Sequence, residues 1–376
     1  DNPETPENEF KYNGWGGYGY LPELKKVNLT TPRIHGLPYE GNIHEGPKKH
    51  IFDVTRRWLA PDSDVSKGID GYRLDVAEQI GMGFWRDYHQ YVKSINPEAY
   101  LIGEIWWQKW PDVLMDPAPY MQGDVFDAVM FYQVYKPARS FFNNSDDAID
   151  ARQLRDSLEY QWNNIPGKNE YAMMNVGASH DAPRLLSDFY NKNRYKFKAN
   201  PEENPGYKTG KPDKDAYTRT RLYLVHAFTT IGSPQIWNGD EMGMWGADDP
   251  NCRKPLMWPE LKMEKEYRNN FQPGAKQFDK IGFNKEHFEF YRKLIQLRKE
   301  NPVLSKGDLQ FIISDGKKLG YFRTDGRERI TVLFNMESTK QRFELPENGN
   351  YVDLLTGKKI AGNTIVLKPL TAVVLK

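Results

Sequence analysis

Gly71-Tyr72-Arg73-Leu74-Asp75-Val76-Ala77 and, further on, Leu101-Ile102-Gly103-Glu104-Ile105-Trp106-Trp107 decide the fold of this chain. Each is a short apolar run closed by a carboxylate, Asp75 in one and Glu104 in the other. Between them Phe84, Trp85, Tyr88, Tyr91 and Val92 recur at helical spacing, which predicts a helix with one buried face. Strand, helix, strand makes a parallel unit. It carries Asp75 and Glu104 out at the same sheet edge, the carboxyl-terminal edge at which parallel barrels place their active sites. Two carboxylates at adjacent strand ends suit glycoside chemistry, one acting at the anomeric carbon while the other carries a proton. Each alone has a plainer reading. Asp75 could cap a helix or pair with Arg73, and Glu104 could be a rim residue.

The rest of the chain extends this pattern. Residues 1–50 are rich in Gly, Pro, Asn, Trp and Tyr and read as a long irregular loop region. Ile51, Val54, Thr55, Trp58 and Leu59 predict an amphipathic helix over 48–59. Further strands are expected over 125–132, 171–176 and 234–237, and further helices over 151–162, 218–230 and 286–297. The helix expected after Ala182 leaves Asp181 open to a second reading, as a cap for free backbone N–H groups. The polar stretch 190–215 reads as an exposed, mobile insertion. Past Gly307, short alternating strands are split by turn pairs at Asp315-Gly316, Asp325-Gly326, Asn348-Gly349, Thr356-Gly357 and Gly362-Asn363, the texture of an all-β module. The domains expected are therefore 1–50 as the loop region, 51–304 as the α/β catalytic barrel and 305–376 as the all-β module. Only five strand–helix units are found, whereas a closed (β/α)8 TIM barrel has eight.

Composition narrows the function. With 376 residues the chain can hold about two domains. Its net charge of +1 points to neither nucleic acid nor an anionic membrane, and no apolar run is long enough to span a bilayer. Aromatic residues make up 14%, with 10 Trp and 22 Tyr, whose flat faces suit sugar rings as well as a large core. A single cysteine, Cys252, excludes an internal disulfide and argues against a thiolate metal site. The start, Asp1-Asn2-Pro3-Glu4-Thr5-Pro6, has no secretion signal and no Met, so it reads as a processing, cloning or cleavage point. The compartment, periplasmic or secreted against cytoplasmic, stays open.

Taken together, the motifs resemble those of the α-amylase family of glycoside hydrolases (family thirteen), in its neopullulanase and cyclomaltodextrinase group. Gly71 to Ala77 is similar to that family's fourth-strand motif, Gly103-Glu104-Ile105-Trp106 to the fifth, and Ser179-His180-Asp181-Ala182-Pro183-Arg184 to the seventh. Gly239-Asp240-Glu241-Met242-Gly243, with Asp248-Asp249-Pro250-Asn251-Cys252-Arg253-Lys254, resembles the eighth strand and its loop. Leu21-Pro22-Glu23-Leu24 resembles a short motif of domain B, and the all-β module resembles domain C. The resemblance covers nearly the whole chain, with its four strand motifs in order. It implies that residues 1–50 are a domain B remnant and that only the fourth to eighth barrel strands are present.

The resemblance also implies roles. Asp75 would be the nucleophile of a retaining mechanism and Glu104 its acid and base. Asp181 would grip ring hydroxyls as the third catalytic carboxylate, with His180 on the same sugar. Arg73 would orient Asp75, Asp249 and Arg253 would bind the next sugar, and Trp106 would stack on the leaving-group side. The expected partner is an α-glucan oligosaccharide. Calcium is common in the family, bound around domain B and the early strands; no metal site and no redox cofactor are expected in this chain. Glu78-Gln79 departs from the group's usual Asn-Glu, and the third-strand motif is not found. An open five-strand sheet exposes its edges, so the missing half, or a second copy of the chain, is an expected partner. A non-catalytic glucan-binding fragment and a sibling α-glucosidase or glucanotransferase are the alternatives.

Overall fold

The computed structural model describes residues 14–15, 18–268 and 277–376. The expected loop region therefore lies partly outside the described residues. The chain divides into two compact units, Asp1–Glu104 with Pro119–Asp127, and Ile105–Ala118 with Ala128–Lys376.

In the first unit, β1 (Lys26–Val27) pairs antiparallel with β2 (Asn42–Ile43), and α1 (Glu45–Leu59) follows. Then come β3 (Gly71–Leu74), α2 (Met82–Ile95) and β4 (Tyr100–Gly103). β3 and β4 run parallel in the register Gly71↔Tyr100 to Leu74↔Gly103, so the residues that follow each strand emerge at one end. α2 buries Phe84, Trp85, Tyr88 and Val92, the stripe its spacing predicts, while Tyr91 stacks on Phe52 of α1 at 4.3 Å between ring centroids. Glycine at 103 is a packing requirement, because a Cβ there would lie 2.3 Å from the Phe126 ring.

The second unit opens with the hairpin β5 (Trp107–Lys109) and β6 (Val113–Leu114). β7 (Ala128–Val129), α3 (Tyr132–Asn143), α4 (Ala151–Asn163) and β8 (Met174–Asn175) follow. Asp150 and Gln153 close a reciprocal capping box at the start of α4. Next are α5 (Leu185–Tyr190), α6 (Lys214–Thr229), β9 (Ser233–Pro234), the pair β10 (Glu266–Tyr267) and β11 (Phe278–Asp279), α7 (Lys285–Glu300) and α8 (Val303–Lys306). β8 and β9 are parallel, and Met130 bridges Met174 in the same sense.

The all-β segment has β12 (Asp308–Asp315), β13 (Lys318–Thr324), β14 (Arg329–Asn335), β15 (Gln341–Val352), β16 (Lys359–Leu367) and β17 (Thr371–Leu375). Four of these form an antiparallel sheet in the order β12-β13-β14-β17, and β15 and β16 form a separate long hairpin. Leu333, Phe343, Leu345, Ile365 and Leu367 form the core between sheet and hairpin.

Several expectations are corrected. The strands expected over 125–132, 171–176 and 234–237 are each two residues long, because the chain turns at once into α3 or into loops. Asn348-Gly349 and Gly362-Asn363 are not turns but lie inside β15 and β16, with Gly349 opposite Gly362. The other three turn glycines, Gly316, Gly326 and Gly357, do adopt positive φ, at 55°, 85° and 74°. The stretch 190–215 is not simply exposed, since Lys196, Ala199 and Tyr207 are buried.

Candidate active site

In the first unit, Asp75 and Glu104 directly follow the last register pair of two parallel strands. The Glu104 N–H donates to the Leu74 carbonyl at 3.0 Å, which continues the ladder to the point where the side chains diverge. Arg73 bridges the two carboxylates. One guanidinium nitrogen binds Asp75, and another lies 2.8 Å from Glu104. Glu104 also accepts the Val76 N–H at 2.9 Å. Val76 adopts a left-handed conformation, φ 44° and ψ 44°, which is an outlier for a β-branched residue. Strain of this kind concentrates at functional sites, and here it belongs to the residue whose N–H holds Glu104. The two carboxylates differ in setting. The Asp75 side chain is 65% exposed and that of Glu104 is 9% exposed. One is open to solvent, and the other is sheltered and held through both oxygens.

Beside them lies Glu78, noted in the sequence only as a departure from the family pattern. Burial pushes its carboxyl up to about 7, and the charges of Glu104 and Asp75 add to this while Arg73 opposes it. Its Oε2 is buried with no hydrogen-bond partner among the described residues. The next residue is anchored: the Gln79 carbonyl accepts from the Tyr39 hydroxyl at 3.0 Å and from Lys26 Nζ at 3.3 Å.

The second unit gathers four more of the expected residues. His180 Nε2 lies 2.9 Å from one Asp181 oxygen, and Arg253 lies 2.8 Å from the other. Arg253 also pairs with Asp249 at 2.5 Å and donates to the His180 carbonyl at 3.0 Å. Asp181 is not a helix cap, because α5 begins at Leu185 with Arg184 in the N-cap position. Arg184 is a support that sequence reading passed over. It is buried, donating to the carbonyls of Cys252 at 2.9 Å and Asn238 at 3.0 Å and to Asp240 at 2.8 Å. It thereby ties the residues after Asp181 to the loop that carries Asp249 and Arg253. Burial pushes the Asp240 carboxyl up to about 6 despite this partner.

Trp106 departs from its expected role. It is 7% exposed, and its ring lies flat on Tyr132 at 3.9 Å and against Trp107 at 4.9 Å, so the indole is spent on aromatic packing instead of being open to a sugar. The exposed indole of this loop is Trp110, at 48%. Sequence reading had no means of ranking the two, because the difference depends on Tyr132 of α3. Among the described residues no three His, Cys, Asp or Glu side chains gather where they could share a metal ion. The chemistry proposed below uses no metal ion. No helix among the described residues is long and apolar enough to cross a membrane.

Comparison with known proteins finds the relatives of this chain among glycoside hydrolases. The α-amylase catalytic-domain profile matches residues 42–307, and a β-galactosidase C-terminal-domain profile matches residues 321–376. A cyclomaltodextrinase of Geobacillus thermopakistaniensis is 30% identical over 355 residues, covering 93% of this chain and 48% of the relative. Neopullulanase 2 of Thermoactinomyces vulgaris is 30% identical over 357 residues, with the same two coverages. A solved cyclomaltodextrinase structure superposes with a TM-score of 0.68 at 25% identity, covering 93% of this chain and 53% of that one. The chain thus spans about half the length of the curated relatives it matches. With the catalytic-domain match covering most of its length, this chain belongs to the α-amylase family of glycoside hydrolases.

Proposed function

We propose that this chain carries the catalytic carboxylates of a retaining α-glucan hydrolase of the cyclomaltodextrinase and neopullulanase kind. Its substrates would be the α-1,4 linkages of starch-derived oligosaccharides, pullulan or cyclodextrins. The observation that carries the reading is the pair Asp75 and Glu104, at adjacent parallel strand ends and bridged by one guanidinium. Asp75 attacks the anomeric carbon as the glycosidic C–O bond breaks, and Glu104 gives its proton to the leaving oxygen. Water then attacks the glycosyl ester, Glu104 takes the water's proton, and Asp75 leaves as a carboxylate. Arg73 holds both groups in place. Asp181, oriented by His180 and Arg253, binds ring hydroxyls of the reacting sugar, and Asp249 with Arg253 binds the next one. Domain B, barrel and domain C would follow the division 1–50, 51–304 and 305–376, and the remaining barrel strands would come from further polypeptide or from a second copy.

A fluorinated glycosyl fluoride that forms a slowly hydrolysed ester tests the mechanism. Peptide mass spectrometry should find the sugar on Asp75, and Asp75→Asn should abolish both labelling and maltotriose turnover. Labelling elsewhere, or full turnover by Asp75→Asn, would remove Asp75 as nucleophile. A second reading, glucan binding without turnover, is favoured by the half-length match to the relatives. It predicts maltotriose affinity with no labelling at all.

A further inference from the structure

The stretch 190–215 sends one cation inward. The Lys196 side chain is 10% exposed. Its ammonium donates to the Asp181 backbone carbonyl and to Asp248 Oδ1, the latter at 2.6 Å. The same charge lies 5.3 Å from the centroid of the Trp106 ring and 5.6 Å from that of Trp110, within the range of cation–π attraction. Asp248 is held twice more: its Oδ1 accepts the Asp249 N–H at 2.8 Å, and its own N–H donates to the Ala199 carbonyl at 2.9 Å.

This arrangement has two layers. Arg253, 45% exposed, joins the side chains of Asp181 and Asp249. Lys196, sheltered, joins their backbones, that of Asp181 directly and that of Asp249 through Asp248. We propose that Lys196 is a positioning residue of the α-glucan site, its ammonium fixing the peptides that carry Asp181 and Asp249 and the indole of Trp110 against which a sugar chain would lie. This rests on the glucan reading of the site above. A compact ammonium with three donors suits a carbonyl, a carboxylate and two aromatic rings arranged around one point.

The test separates positioning from plain stability. Lys196→Met keeps the aliphatic stem but leaves Asp248 buried and unpaired, so a loss of Tm is expected from that variant alone. Combining it with Asp248→Asn removes the stranded charge and should return most of the Tm. Two readouts on the full chain then decide. Maltotriose affinity by calorimetry should stay at least tenfold weaker in the double variant than in the unaltered chain. Hydrogen exchange over residues 177–186 and 246–253 should stay at least tenfold faster. Recovery of affinity and protection together with Tm would overturn the proposal, reducing Lys196 to a neutraliser of Asp248. If the unaltered chain binds no maltotriose, the glucan reading fails, while the exchange rates still decide whether Lys196 holds the Asp181 and Asp249 peptides.

Discussion

Glu78→Gln gives the sharpest test of the electrostatics around Asp75 and Glu104. In the unfolded chain Glu78 ionises near its ordinary 4.5, and in the fold it does so at about 7. Between those two values the folded protein keeps a proton that the unfolded chain has released. Folding stability must therefore fall as pH rises through this window, since stability declines wherever the native state binds more protons than the unfolded one. The full displacement corresponds to about 3 kcal/mol, at about 1.4 kcal/mol for each tenfold change in proton affinity. Glutamine has the shape of the protonated acid and cannot ionise. Near pH 5 the variant and the parent should differ by under about 1 kcal/mol, and near pH 8 the variant should be more stable by about 3 kcal/mol. Urea denaturation at half-unit pH steps reads this directly. A difference that stays flat from pH 5 to 8 would refute the reasoning, because it would mean that Glu78 ionises as an exposed carboxyl does. Repeating the series with Asp75→Asn tests the cause. Burial is the largest contributor and the neighbouring charges are smaller, so removing Asp75 should shrink the effect without abolishing it.

Other perturbations follow from single contacts. Arg73→Met removes the cation that Asp75 and Glu104 share; turnover should be lost, and stability should fall by about 2 kcal/mol because the sheltered Glu104 carboxylate loses its cationic partner. Unchanged denaturation would show that the bridge holds nothing. Gly103→Ala places a methyl 2.3 Å from the Phe126 ring and should cost about 1–3 kcal/mol by overpacking, read as a lower urea midpoint with an unchanged slope. Arg323→Met strips a buried donor from the carbonyls of Thr229, Thr230 and Gly307, each at 2.7 Å. About 3 kcal/mol should be lost in a melting series, and a neutral result would mean that water replaces the guanidinium.

How far the sequence reached depends on where the information lies. The strand–helix–strand unit was legible because its period is local: the residues that mark α2 are the ones it buries. Asp75 and Glu104 were legible for a related reason, since a parallel crossover sends both strand ends the same way. The cluster of His180, Asp181, Asp249 and Arg253 was named only through the resemblance; no local rule joins residues so far apart in the chain. What failed depended on distant packing. Trp106 and Trp110 have the same chemistry, and packing on Tyr132 and Trp107 decides which is covered. Lys196 sits in a polar stretch with no period, where an inward cation looks like any solvated lysine. Asn348-Gly349 has the composition of a turn, yet pairing with Gly362 across a long hairpin overrides it.

The parallel strands of the second unit are two residues long, so little of the backbone around the Asp181 cluster is satisfied by sheet ladders. Buried carbonyls in irregular segments still need donors, and buried cations supply them. Arg139, paired with Asp188 at 2.7 Å, donates to the carbonyls of Lys192 at 3.0 Å and Arg194 at 3.1 Å. Arg184 collects Cys252 and Asn238, and the half-buried Arg298 collects Gly232 at 2.7 Å. Lys196 takes the carbonyl of Asp181. A guanidinium offers five donors from one side chain, enough to serve several loop carbonyls and a carboxylate at once. The loops thereby obtain the fixed geometry that a ladder would give, without its regular spacing. This accounts for charged residues deep in a fold where burial alone would disfavour them. It also implies that neutral replacements at Arg139, Arg184 and Lys196 should loosen the loops they serve well before they unfold the helices beside them.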